Sequence, residues 1–108
     1  MSAVFEIERL LREISETRRY VEFLRRPAMS AGVYVLPAGA SDLQTPHRED
    51  EIYYVVRGTA KLRLGPEERP VYAGDVIFVE AGLEHRFFDI ENELAVLVVF
   101  APAESAES

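Results

Sequence analysis

The chain has only two histidines, His47 and His85, and a glutamate, Glu51, stands four residues after the first. The stretch around that pair reads Gln44-Thr45-Pro46-His47-Arg48-Glu49-Asp50-Glu51-Ile52-Tyr53-Tyr54. Neutral imidazole is the commonest protein ligand for a divalent metal and the commonest acid–base group near neutral pH. Two imidazoles and one carboxylate can hold Fe(II), Mn(II), Zn(II) or Ni(II) from one side, leaving positions open for water or a substrate. There is no cysteine, so thiolate metal sites, disulfides and a cysteine nucleophile are excluded. Taken singly, each residue has a plainer account. A lone histidine on a strand is more often structural, and Glu51 alone is a surface carboxylate.

Chemistry by these residues needs elements that bring them together. Side chains alternate between the faces of a strand. If the extended conformation begins early, Thr45, His47, Glu51 and Tyr53 share one face. His85 must then arrive on a neighbouring strand, with Phe87 beside it on the same face. Tyr53 is the candidate catalytic residue, since a hydroxyl beside a metal can donate a hydrogen bond or a proton.

The periodicity supplies such elements. Val4, Ile7, Leu11 and Ile14 recur at helical spacing, and residues 1–17 are expected to form an N-terminal helix with a polar opposite face. The period then changes. Strands are expected at Tyr20–Leu24, Met29–Leu36, Ile52–Val56, Thr59–Leu64, Arg69–Tyr72, Val76–Val79, Arg86–Ile90 and Leu94–Phe100, separated by Pro and Gly turns. Short strands at this spacing suggest a sandwich or barrel over residues 18–102. Residues 103–108 are small and polar and are expected to be a disordered tail.

The turn and ligand residues also fall on a known pattern. Gly39, His47, Glu51 and Gly58 follow the spacing of the first cupin motif, and Gly74, Gly82 and His85 that of the second. Over Gly39–Asp89, about half the chain, the sequence resembles the cupin superfamily in its small single-domain bacterial form. The resemblance implies an all-β fold, a single jelly-roll (double-stranded β-helix) barrel carrying the short helix. It also implies one divalent metal ion held by His47, Glu51 and His85. Three positions depart from the motifs: Thr45 stands in place of the first histidine, Glu80 of a proline and Asp89 of an asparagine. Thr45 is a poor ligand, because a neutral hydroxyl donates weakly. Gln44 or water is therefore expected to complete the site. By parity, Tyr53, Val55, Leu62, Phe78, Phe87 and Phe100 are expected near the metal, while Glu49 and Asp50 are expected as solvated charges at the mouth.

The resemblance leaves the reaction open. Small cupins include dioxygenases, isomerases, epimerases and decarboxylases. A small-ligand sensor or carrier and a metal-braced structural dimer are the alternatives to an enzyme acting on a small organic molecule. A homodimer is expected, because small cupins commonly pair through N-terminal strands such as Tyr20–Leu36.

Composition narrows the partners. The 108 residues carry a net charge of −7, with 48% hydrophobic and 29% charged residues, a profile of one globular domain. An acidic chain lacks the clustered basic face that nucleic acid requires. No apolar run reaches the roughly twenty residues of a membrane helix. Acids in the first residues argue against a secretory signal, and the cytoplasm is the expected location.

Overall fold

The computed structural model describes residues 3–40, 42 and 47–105. A short helix, α1 (Ile7–Leu11), precedes eight strands. These are β1 (Tyr20–Arg26), β2 (Met29–Leu36), β3 (Asp50–Arg57), β4 (Thr59–Leu64), β5 (Glu67–Tyr72), β6 (Val76–Val79), β7 (His85–Phe88) and β8 (Leu94–Ala101). They form two antiparallel sheets, one ordered β1-β2-β8-β3-β6 and the other β5-β4-β7. Among the described residues no strand ladder joins the two, so the expected barrel exists as two facing sheets rather than a closed cylinder.

Alternation builds the space between the sheets. In β3, Glu51, Tyr53 and Val55 point inward while Ile52 and Tyr54 face out. In β4, Ala60 and Leu62 are buried and Lys61 is exposed. With Val71, Ile77, Val79, Phe87, Leu94, Val96, Val98 and Phe100, these residues form one apolar core contributed by both sheets. Within the smaller sheet, β4 and β7 pair so that Leu62 lies opposite Phe87 and Leu64 opposite His85.

The reverse face of the larger sheet is covered by α1. Leu11 packs with Val21, Val33, Val35 and Ala95, and Ile7, Leu10 and Ile14 flank them. This helix is far shorter than the expected span of residues 1–17. Glu6 provides no side-chain cap, and the chain doubles back at the Ser15–Arg18 bridge before a further turn can form. Val4 is left exposed.

Two glycines are required by close approach. Gly58 adopts φ +98°, and a β-carbon there would strike the Glu93 carbonyl. Gly32 lies mid-strand beneath the Tyr20 ring, where a β-carbon would overlap the ring.

Two expectations are corrected here. Phe78 faces solvent, 59% exposed, and Ile77 and Val79 fill the core instead. Phe78 pairs with outward-facing Ile52 across the ladder, so it is fixed on the outer face. Ala103, Glu104 and Ser105 are not a loose tail. Their backbone N–H groups donate to the Pro27 carbonyl, Ser30 Oγ and Glu49 Oε2 respectively.

Candidate metal centre

Glu51 enters the core from β3, two residues before Tyr53, and is 2% exposed. His85 is the first residue of β7, in the other sheet, and is also 2% exposed. His47 lies in the loop before β3, where its carbonyl accepts a 2.7 Å hydrogen bond from the Gly82 N–H. That bond ties the loop carrying one histidine to the turn that leads to the other. The three side chains converge: Glu51 Oε2 is 3.6 Å from His85 Nε2 and 3.9 Å from His47 Nε2. One ligand atom from each lies within 4.8 Å of the others.

The ring nitrogens are oriented by their outer partners. His85 Nδ1 lies 2.9 Å from the Leu83 carbonyl, which can only accept. Nδ1 therefore carries the proton and Nε2 turns a lone pair to the centre. His47 Nδ1 lies 3.5 Å from Glu104 Oε2, an ion-pair separation without hydrogen-bond geometry to that oxygen, while its Nε2 lies 3.9 Å from Glu51 Oε2. The Tyr53 hydroxyl is 3.3 Å from His85 Nε2, and its ring packs edge-on against Phe87 at 5.1 Å. Phe100 closes another side, 5.0 Å from the His47 ring.

Glu51 is electrostatically uncomfortable. Burial pushes its pKa up, and the Tyr53 hydroxyl and the two imidazoles pull it back only in part. Neither carboxylate oxygen has a hydrogen-bond partner of good geometry. A buried carboxylate with unsatisfied oxygens is costly unless a cation or donor meets it. The donor set fits such a cation. Ligands about 2.1 Å from one ion stand roughly 3.0–3.4 Å apart, so the Glu51 contacts of 3.6 and 3.9 Å need to shorten by about 0.2–0.9 Å.

The structure thus brings His47, Glu51, His85 and Tyr53 together, with Phe87 and Phe100 beside them; Val55 and Leu62 belong to the same core. Gln44 and Thr45 lie outside the described residues. Asp50 is exposed, as expected, and its Oδ1 accepts from the Ala81 N–H at 2.8 Å. Glu49 is not a solvated charge: it is 4% exposed and accepts from Ser105, because residues 103–105 cover it.

Four polar residues near the centre escaped the sequence analysis. Tyr20 reaches inward over Gly32, its hydroxyl is buried without a partner, and desolvation with nearby Glu104 raises its pKa. A glycine inside a strand is the signal that could have disclosed this approach. Asp42 is buried and clamps the loop before β3, accepting from the Tyr34 hydroxyl at 2.9 Å and the Phe87 N–H at 3.0 Å. Ser30 and Glu104 meet across 74 residues, a distance in sequence that no local pattern marks.

Comparison with known proteins agrees with this architecture. The family model of the cupin domain (Cupin_2) matches residues 32–101. An uncharacterized protein of Streptomyces coelicolor is 49% identical over 86 residues, covering 80% of this chain and 82% of that one. The crystal structure of TT1209 from Thermus thermophilus superposes with a TM-score of 0.75 at 25% identity, over 93% of this chain and 97% of that one. The DMSP lyase DddQ from Ruegeria pomeroyi gives a TM-score of 0.71 at 22% identity, over 86% of this chain and 51% of the lyase.

Proposed function

Because this chain belongs to the cupin domain family, we propose that His47, Glu51 and His85 hold one divalent metal ion and that the centre acts on a small organic molecule. The observation that carries this is the Glu51 carboxylate, buried between two inward-facing imidazole nitrogens with neither oxygen in a hydrogen bond of good geometry. A divalent ion bound there supplies Lewis-acid polarisation of a substrate oxygen. Three protein ligands leave coordination positions for that oxygen, whereas a purely structural site is closed.

The protein's own groups define the rest. Phe87 and Phe100, both buried against Tyr53 and the His47 ring, give the centre an apolar wall. Tyr53, 1% exposed, has the one hydroxyl within hydrogen-bond range of a ligand nitrogen among the described residues, and it is the proton donor of this scheme. A tyrosine so placed favours proton-transfer chemistry of the isomerase kind over dioxygenation. The lyase that shares this fold supports an enzyme only at the level of architecture.

The test is to load the protein with Co(II) and titrate small hydroxy- and oxo-acids while recording the visible d–d bands. Displacement of the bands by such probes is expected, and isomerase-type turnover should then fall by roughly 100-fold or more in Tyr53→Phe while Co(II) stays bound. Bands indifferent to every probe would mark a closed structural site and overturn the enzyme reading.

A further inference from the structure

Residues 103–105 form a strap beside the centre. Its fastenings are numerous for three residues. Ala103 N–H donates to the Pro27 carbonyl at 3.4 Å and Glu104 N–H to Ser30 Oγ at 2.9 Å. Arg25 Nη2 donates to the Glu104 carbonyl at 2.7 Å. The Ser105 N–H and hydroxyl both donate to Glu49 Oε2, at 3.2 and 3.0 Å. Two of the receiving side chains, Ser30 and Glu49, are almost wholly buried. With its backbone held on both sides, Glu104 points its side chain inward, 24% exposed, and places Oε2 3.5 Å from His47 Nδ1.

From this geometry we infer that Glu104 is a positioning residue for His47, holding the Nδ1 proton so that Nε2 faces Glu51 and His85. The inference rests on the metal-binding reading of the centre. A metal-ligating histidine typically gives its other ring N–H to a carboxylate or a carbonyl, which fixes the tautomer and raises the basicity of the ligating nitrogen. The two histidines here divide those roles. His85 has a carbonyl, supplied two residues away by its own turn at Leu83. His47 has a carboxylate, supplied from the far end of the described chain.

The Glu104 side chain is partly buried, 24% exposed, against the His47 ring. A carboxylate serving just to fasten the strap has no reason to sit there, since the fastening bonds use the backbone of Glu104 and not its side chain. An imidazole N–H, made more acidic when the other nitrogen binds a cation, gives the carboxylate a partner whose attraction grows with metal loading.

The experiment compares full-length wild type, Glu104→Ala and Glu104→Gln by Co(II) titration against a competing chelator, with visible spectra of the loaded proteins and thermal melts of the metal-free ones. Glu104→Ala is expected to bind Co(II) roughly 10- to 100-fold more weakly, with shifted d–d bands. Glu104→Gln keeps an acceptor oxygen and is expected to recover a large part of the affinity. Both are expected to melt near wild type without metal. Unchanged affinity and spectrum in both variants overturn the positioning role while leaving the metal centre intact. Wild type that takes up no Co(II) overturns the metal reading itself. If Glu104→Ala does not fold, Glu104→Leu, similar in size but unable to accept a hydrogen bond, replaces it: weaker binding with an altered spectrum supports the role, and wild-type behaviour overturns it.

Discussion

Glu51 Oε2 and His85 Nε2 lie 3.6 Å apart although Glu51 belongs to the five-stranded sheet and His85 to the three-stranded one. An ion bound between them therefore fastens the two sheets across a gap that no strand ladder closes among the described residues.

The first prediction follows from that bridge. Ligand that binds only the folded state stabilises it by about 2.7 kcal/mol at a concentration 100 times Kd. For a domain of this size each kcal/mol raises the melting temperature by roughly 2–8 °C. Added metal is expected to raise the melting temperature of wild type and to leave His85→Ala unmoved. An equal rise in both, by scanning calorimetry, would place the metal elsewhere.

The second concerns pH in metal-free protein. Burial raises the Glu51 pKa above its ordinary 4.5. A group whose pKa is raised on folding adds stability while it keeps its proton, and that contribution is lost as pH rises through the folded value. Metal-free wild type should thus lose the Glu51 contribution as pH rises from about 4.5 towards neutrality. Glu51→Gln should lose less over that range and melt higher than wild type at pH 7. A lower melting temperature for Glu51→Gln at pH 7 would mean that the charged carboxylate is satisfied in the fold.

Tyr20 and Gly32 give a third. Removing a buried hydroxyl that has no partner costs nothing and can stabilise. Tyr20→Phe is expected to unfold at the same or a higher urea midpoint. A loss beyond about 1 kcal/mol would show that the hydroxyl is bonded. Gly32→Ala should destabilise strongly, because its methyl group and the Tyr20 ring claim the same volume.

The fourth sets the two inward and outward phenylalanines against each other. Phe87 is fully buried, and Phe87→Ala is expected to cost about 3–5 kcal/mol. Phe78 is exposed, and Phe78→Ala should stay within about 0.5 kcal/mol of wild type. Comparable losses in urea titrations would return Phe78 to the core.

Where polar and apolar residues alternate, the fold was legible in advance. Thr59–Leu64 and Met29–Leu36 occupy the expected bounds, and the shared parity of Glu51, Tyr53 and Val55 is the inward face of β3. Val76–Val79 has the expected bounds too, but all four residues are apolar, so its two faces could not be told apart and Phe78 was assigned to the wrong one. Helical periodicity overstated α1, because an apolar stripe marks the face that packs and not the point where the chain turns back. Glu49 reads as solvated in its acidic neighbourhood and is buried only because Ser105, 56 residues later, returns to it. Motif spacing was enough to name His47, Glu51 and His85, while the strap and Glu104 depend on contacts between distant residues that periodicity does not encode.

The central claim is tested most directly by elemental mass spectrometry of protein purified without chelators or an affinity tag, with His47→Ala prepared alongside. The account predicts close to one divalent ion per chain in wild type and little or none in His47→Ala. Wild type that carries no metal and takes up none on reconstitution, or His47→Ala that retains a full complement, would contradict it.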